Sequence, residues 1–66
     1  MTIDARGMRC PLPVLRLRKI AFQEPAGTRL RLRADDPAAE ADVPTFCEEM
    51  SWDCEGGDGE WFVTRP

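Results

Sequence analysis

The chain has no histidine and no tyrosine, and its three cysteines, at positions 10, 47 and 54, include no Cys-x-x-Cys pair. Without histidine there is no Cys-His or Ser-His dyad, so a nucleophile here must be activated by backbone dipoles and cations alone. A zinc site would need three scattered thiolates and a carboxylate, which argues against a metal centre. An odd number of widely spaced cysteines does not make the disulfide framework of a small secreted domain, so the three read as thiols of a reducing compartment. No apolar run approaches the roughly 20 residues of a membrane span. The opening MTIDARG mixes acid and base and has no apolar h-region, so the expected address is cytoplasmic. With a net charge of −3, the chain also lacks the basic excess of a free-standing nucleic-acid-binding domain.

What is present reads as one domain over residues 1–66, with no repeat, low-complexity tract or linker. A domain of this length buries only about 60% of the surface of its unfolded chain, so the core must be thin. Charge is unevenly spread: eight of the nine Lys and Arg residues fall at or before Arg33, and eleven of the twelve Asp and Glu residues at or after Glu24. Such a division suggests charge complementarity within the fold or with a partner.

The pattern along the chain predicts six short elements. TIDA (2–5) is a strand ended by a turn at Gly7. From Pro11 to about Phe22, apolar residues at 14, 17, 20 and 21 recur at helical spacing, with Arg16, Arg18 and Lys19 mostly on the other side. TRLRLRA (28–34) alternates strictly, which predicts a half-buried strand with Leu30, Leu32 and Ala34 inward and Arg29, Arg31 and Arg33 outward. A second helix is expected with Asp42 as N-cap, Pro44 in its first turn and an apolar stripe of Val43, Phe46, Cys47 and Met50. SWDCE and EWFVTR then form a hairpin around the glycines of GGDG. The order βαβαββ predicts an α/β (α+β) two-layer sandwich, with two helices on one face of a four-stranded mixed sheet. The other face would carry the three arginines beside Asp53 and Glu55 as cross-strand pairs.

One residue stands apart. Cys10 follows Arg6 and Arg9 and directly precedes Pro11, and proline is favoured at the first helical position while holding the residue before it extended. Cys10 is therefore expected at the N-cap of the first helix, where the helix dipole favours an anion. With two arginines adding field of the same sign, these are conditions that lower a thiol pKa. Pro13 removes a further N–H from the first turn, leaving only Leu12 and Val14 to offer N–H groups to the sulfur. It breaks a local rule with no packing benefit visible in the sequence, as functional sites often do. A free cysteine is also a common small core residue, and the residues alone leave packing and chemistry evenly matched. Cys47 and Cys54 lie among Phe46, Met50 and Trp52 and read as packing residues.

The stretches DARGMRCPLPVLRLRKI and LRLRADDPAAEADVPTFCEEM resemble the TusA (SirA-like) family of small sulfur carriers. The likeness rests on Cys-Pro-x-Pro at Cys10 to Pro13, on Asp4, Arg6 and Gly7 before it, and on ADDPA with DVP downstream. It implies a βαβαββ fold similar to the C-terminal domain of translation initiation factor three. It further implies a persulfide held on Cys10, with Arg6 and Arg9 as electrostatic support and Gly7, Pro11 and Pro13 shaping the turn. Sulfur would come from a cysteine desulfurase or a rhodanese and pass to a downstream protein, in tRNA thiolation, molybdenum cofactor supply or sulfur oxidation. No cofactor, direct nucleic-acid partner or membrane is implied. The basic face Arg16, Arg18 and Lys19 is a candidate docking surface for an acidic partner. Asp36 and Asp42 are expected as caps. The sequence departs from the family at EEMSWDCE, where a Gly-His-like pair is usual. Two rivals remain: a redox protein pairing Cys10 with Cys47 or Cys54, and a regulatory or RNA-interacting module using the arginine row.

Overall fold

Strict alternation in the arginine-rich strand decides which side of the sheet is covered. In the computed structural model, which describes residues 1–66, this strand is β2 (Arg29–Arg33), with Leu30 and Leu32 fully buried and the arginines on the other side. It follows β1 (Thr2–Asp4) and α1 (Leu12–Gln23), and precedes α2 (Ala39–Met50), β3 (Asp53–Gly57) and β4 (Glu60–Thr64). The sheet order is β1-β2-β4-β3, with β1 parallel to β2 and the other pairings antiparallel. Both helices lie over the face that carries Ile3, Leu30, Leu32, Trp61 and Val63. Leu17 and Ala21 of α1, with Val43 and Cys47 of α2, complete the core. This is the mixed-sheet α+β sandwich expected from the sequence.

Four local expectations are corrected. Helix α1 starts one residue later than predicted: Pro11 is the cap residue, Leu12 is the first helical residue and the Cys10–Pro11 peptide is cis. Cys10 thus precedes the cap, and Pro13 occupies the second helical position, where a missing N–H costs no intrahelical bond. Pro13 is also a fully buried core residue, so it does bring a packing benefit that the sequence concealed.

Helix α2 starts well before Asp42. The Asp36 carboxylate accepts the Ala38 N–H at 3.1 Å, and Ala39, Glu40 and Ala41 donate to carbonyls three residues back. The chain is already turning at Asp36, so Asp42 falls inside the helix and Pro44 in its interior.

Strand β3 is displaced two residues along the chain. Ser51 closes α2 in the left-handed conformation, and the Trp52 N–H bonds back to the Cys47 carbonyl at 2.8 Å. Trp52 is consequently buried ahead of the strand rather than within it. The hairpin turn is Asp58–Gly59, both with positive φ (54° and 88°), joining the paired residues Gly57 and Glu60. That is the two-residue Asp-Gly connection whose twist suits antiparallel strands.

Finally, β4 lies between β2 and β3, so Asp53 and Glu55 do not neighbour the arginine row. Arg31 instead donates to Glu60 at 2.7 Å, and the Arg29 guanidinium lies 5.0 Å from the centre of the Phe62 ring.

Candidate functional site

Of the three thiols only Cys10 is exposed; Cys47 is buried and Cys54 is half-buried. Cys10 sits in the loop from β1 to α1, and that loop is held by the segment that starts α2. Gly7, whose φ of +83° suits glycine, donates its N–H to the Asp35 carboxylate at 2.9 Å. The Cys10 N–H donates to Asp36 Oδ2 at 2.6 Å. Asp36 therefore serves two chain segments at once, through Cys10 and Ala38. Those two N–H donors, with Arg9 nearby, hold its carboxyl below the usual range. The ADDPA stretch is thus the brace of the Cys10 loop.

The sulfur meets acid, not base. Cys10 Sγ donates a hydrogen bond to Asp42 Oδ2 in the first turn of α2. That bond, partial desolvation and the negative charge of Asp42 and Asp36 push the thiol pKa up. The expected lowering is therefore corrected, and the reason is the direction taken by the neighbours. Arg6 turns away and forms a two-pronged pair with Asp4, with both contacts at 3.0 Å, which brings the Asp4 carboxyl down to about 2. Arg9 stands near Asp36 rather than bonded to the sulfur. The Leu12 N–H is spent on the Arg9 carbonyl at 2.8 Å, so it is not available to the sulfur. Asp42, which the sequence suggested as a cap, is the site residue that sequence reasoning missed. Its only signal was its presence in the second matching motif.

Around the thiol is a shallow depression between the helices, with Val14 and Phe46 on its apolar side and Asp42, Thr45 and Glu49 along α2. Leu12 and Leu15 stand about half exposed on the same helix as the basic residues Arg16, Arg18 and Lys19, all three of which face solvent. Cys47 and Cys54 line a different depression, with Pro44, Trp52 and Trp61. Burial and the neighbouring Cys54 thiol raise the Cys47 pKa to about 12. No helix is long and apolar enough to cross a membrane.

The family model described as Sulfurtransferase TusA matches residues 1–64 of the chain. The fold is also similar to the crystal structure of a SirA-like protein from Desulfitobacterium hafniense. Identity to that protein is 30%, the match covers 96% of this chain and 90% of that one, and the TM-score is 0.74.

Proposed function

The chain belongs to the TusA sulfurtransferase family, whose proteins are sulfur carriers that work with partner proteins, and from that premise we propose that it accepts sulfane sulfur as a persulfide on Cys10 and relays it to an acceptor protein. The observation that carries this reading is the exposure of Cys10, where Cys47 is buried and Cys54 half-buried, at a loop braced by Asp35 and Asp36. A relay between two proteins needs a sulfur that another protein's cysteine can approach, and a loop rigid enough to present it. The donor is a cysteine desulfurase or a rhodanese. The exposed Leu12 and Leu15, with Arg16, Arg18 and Lys19 around them, form the surface on which it docks. Residues 1–66 act as one domain, and the free thiols fit the reducing cytoplasm.

A redox function pairing Cys10 with Cys47 or Cys54 draws no support from the geometry, because those two cysteines line a depression that excludes Cys10, Cys47 being buried and Cys54 half-buried. The test is incubation with a cysteine desulfurase and cysteine, followed by intact and peptide mass measurement. One added sulfur on the Cys10 peptide, removed by reductant and absent in Cys10→Ser, is the expected result. A Cys10 left unmodified by each desulfurase and rhodanese tried would sink the proposal.

A further inference from the structure

A thiol that accepts sulfur must lose its proton first, since the thiolate is the nucleophile. Around Cys10 the one hydrogen-bond partner of the sulfur is an acceptor, so nothing bonded to it holds a thiolate ready-made. There is no histidine in the chain, Arg6 is committed to Asp4, and the Leu12 N–H is spent on the Arg9 carbonyl. The resting sulfur is a protonated donor, and the acceptor of that proton is one oxygen, Asp42 Oδ2.

We propose that Asp42 is the general base of the relay, taking the Cys10 proton as the sulfur attacks the incoming persulfide. This rests on the carrier reading above and adds to it the residue that makes the sulfur reactive. In the step, the Cys10 S–H bond breaks and its proton passes to Asp42 Oδ2. The freed electron pair on Sγ attacks the outer sulfur of the donor persulfide, forming a new S–S bond. The donor's own S–S bond breaks, and its electron pair stays on the donor cysteine as a thiolate. The outer sulfur crosses with whatever proton or charge it carried, so atoms and electrons balance and no external oxidant or reductant is needed.

The other acids near the site are placed differently. Asp36, in the segment before α2, has both oxygens engaged by the Cys10 and Ala38 N–H groups, with Arg9 close by. Glu49 lies two turns further along α2 and lines the same depression, but forms no hydrogen bond with the sulfur. On the other side the depression is lined by the uncharged cap residue Pro11 and by Val14 of α1. Asp42 is 32 residues from Cys10 in the chain and reaches the sulfur only because α2 packs beside the start of α1. A thiol hydrogen-bonded to a positioned carboxylate is the geometry that general base catalysis requires.

The test needs no sulfur donor, so it separates this inference from the carrier reading. The rate of Cys10 alkylation by iodoacetamide, which has no titrating group, is followed by peptide mass across pH. If Asp42 takes the proton, the wild-type rate is level from about pH 5 to 6.5, because lost hydroxide is compensated by the internal base; in Asp42→Asn it climbs about tenfold per pH unit. Asp42→Glu should restore a level limb, and Glu49→Gln should leave it in place. A wild-type rate that itself climbs tenfold per unit through this range overturns the proposal, whether or not Asp42→Asn folds. So does an Asp42→Asn profile parallel to the wild type. A level limb without desulfurase loading would remove the carrier reading and leave the base assignment standing.

Discussion

At the scale of single residues, Cys10 owes its placement to two neighbouring motifs that reach each other only in the fold. The Asp36 carboxylate holds its backbone, and the Asp42 carboxylate holds its proton. These roles are separable. Replacing Asp36 by Ala is expected to release the Cys10 and Ala38 amides, so their hydrogen exchange should become faster, while Asp42→Asn leaves both protected. Unchanged exchange in Asp36→Ala would mean that Asp36 is not the brace. The singular position of Cys10 was legible from Pro11 and from the matching motifs. Its electrostatics were not. Arg6 is four residues away in sequence, but Asp4 is two residues from Arg6 and takes the guanidinium first. Nearness along the chain says how close a charge is, not where its side chain points.

At the scale of elements, periodicity predicted each helix and strand, while the boundaries followed from local hydrogen bonds. Alternation located β2 because its two faces differ so sharply, leucine against arginine. The start of α2 was misplaced because Asp42 before Pro44 imitates a cap, whereas the true start uses Asp36 with the Ala38 N–H. The hairpin illustrates the opposite case, where the residue type is decisive. Gly59 has a φ of +88°, and a Cβ there would lie 3.0 Å from the Ala34 carbonyl oxygen. A non-glycine residue in left-handed backbone costs about 1–2 kcal/mol. Gly59→Ala should therefore lower urea-unfolding stability by roughly that amount, with little change in the slope of the transition. Glu40, whose two carboxylate oxygens accept the Asp58 and Gly59 N–H groups at 2.9 and 3.2 Å, ties this turn to α2.

At the scale of the whole molecule, a small core leaves little reserve. Leu17 is fully buried between helix and sheet, and truncating such a leucine to alanine costs about 2–5 kcal/mol. Set against a total stability on the order of 5–10 kcal/mol for a small domain, Leu17→Ala should lower the thermal midpoint sharply. A shift no larger than that of a surface variant would contradict this packing. Stability should also narrow at both ends of the pH scale. Asp4, Asp36 and Glu60 have carboxyls held below their ordinary values by Arg6, by backbone N–H donors and by Arg31 respectively. Their contribution is present above the unfolded carboxylate range of about 4 and is lost as pH falls through their lowered folded values, which for Asp4 is about 2. Cys47 shifts the other way, to about 12, because burial disfavours its thiolate. Its contribution is complete below the unfolded thiol value of about 8.5 and is lost as pH rises towards 12. Unfolding followed by tryptophan fluorescence across pH should show both limbs, and Cys47→Ala should weaken the alkaline one.

Periodicity, turn residues and two short motifs determined the element order, the buried face of the sheet and which cysteine stands apart from the core, since these depend on residue type at fixed spacing. The protonation partner of that thiol, the brace behind it and the burial of Pro13 were decided only by tertiary structure. Each depends on which side chains two distant segments bring together when α2 packs beside the start of α1. A sulfur atom's chemistry depends on charges within a few ångströms, and in this fold those charges come from 26 and 32 residues further along the chain.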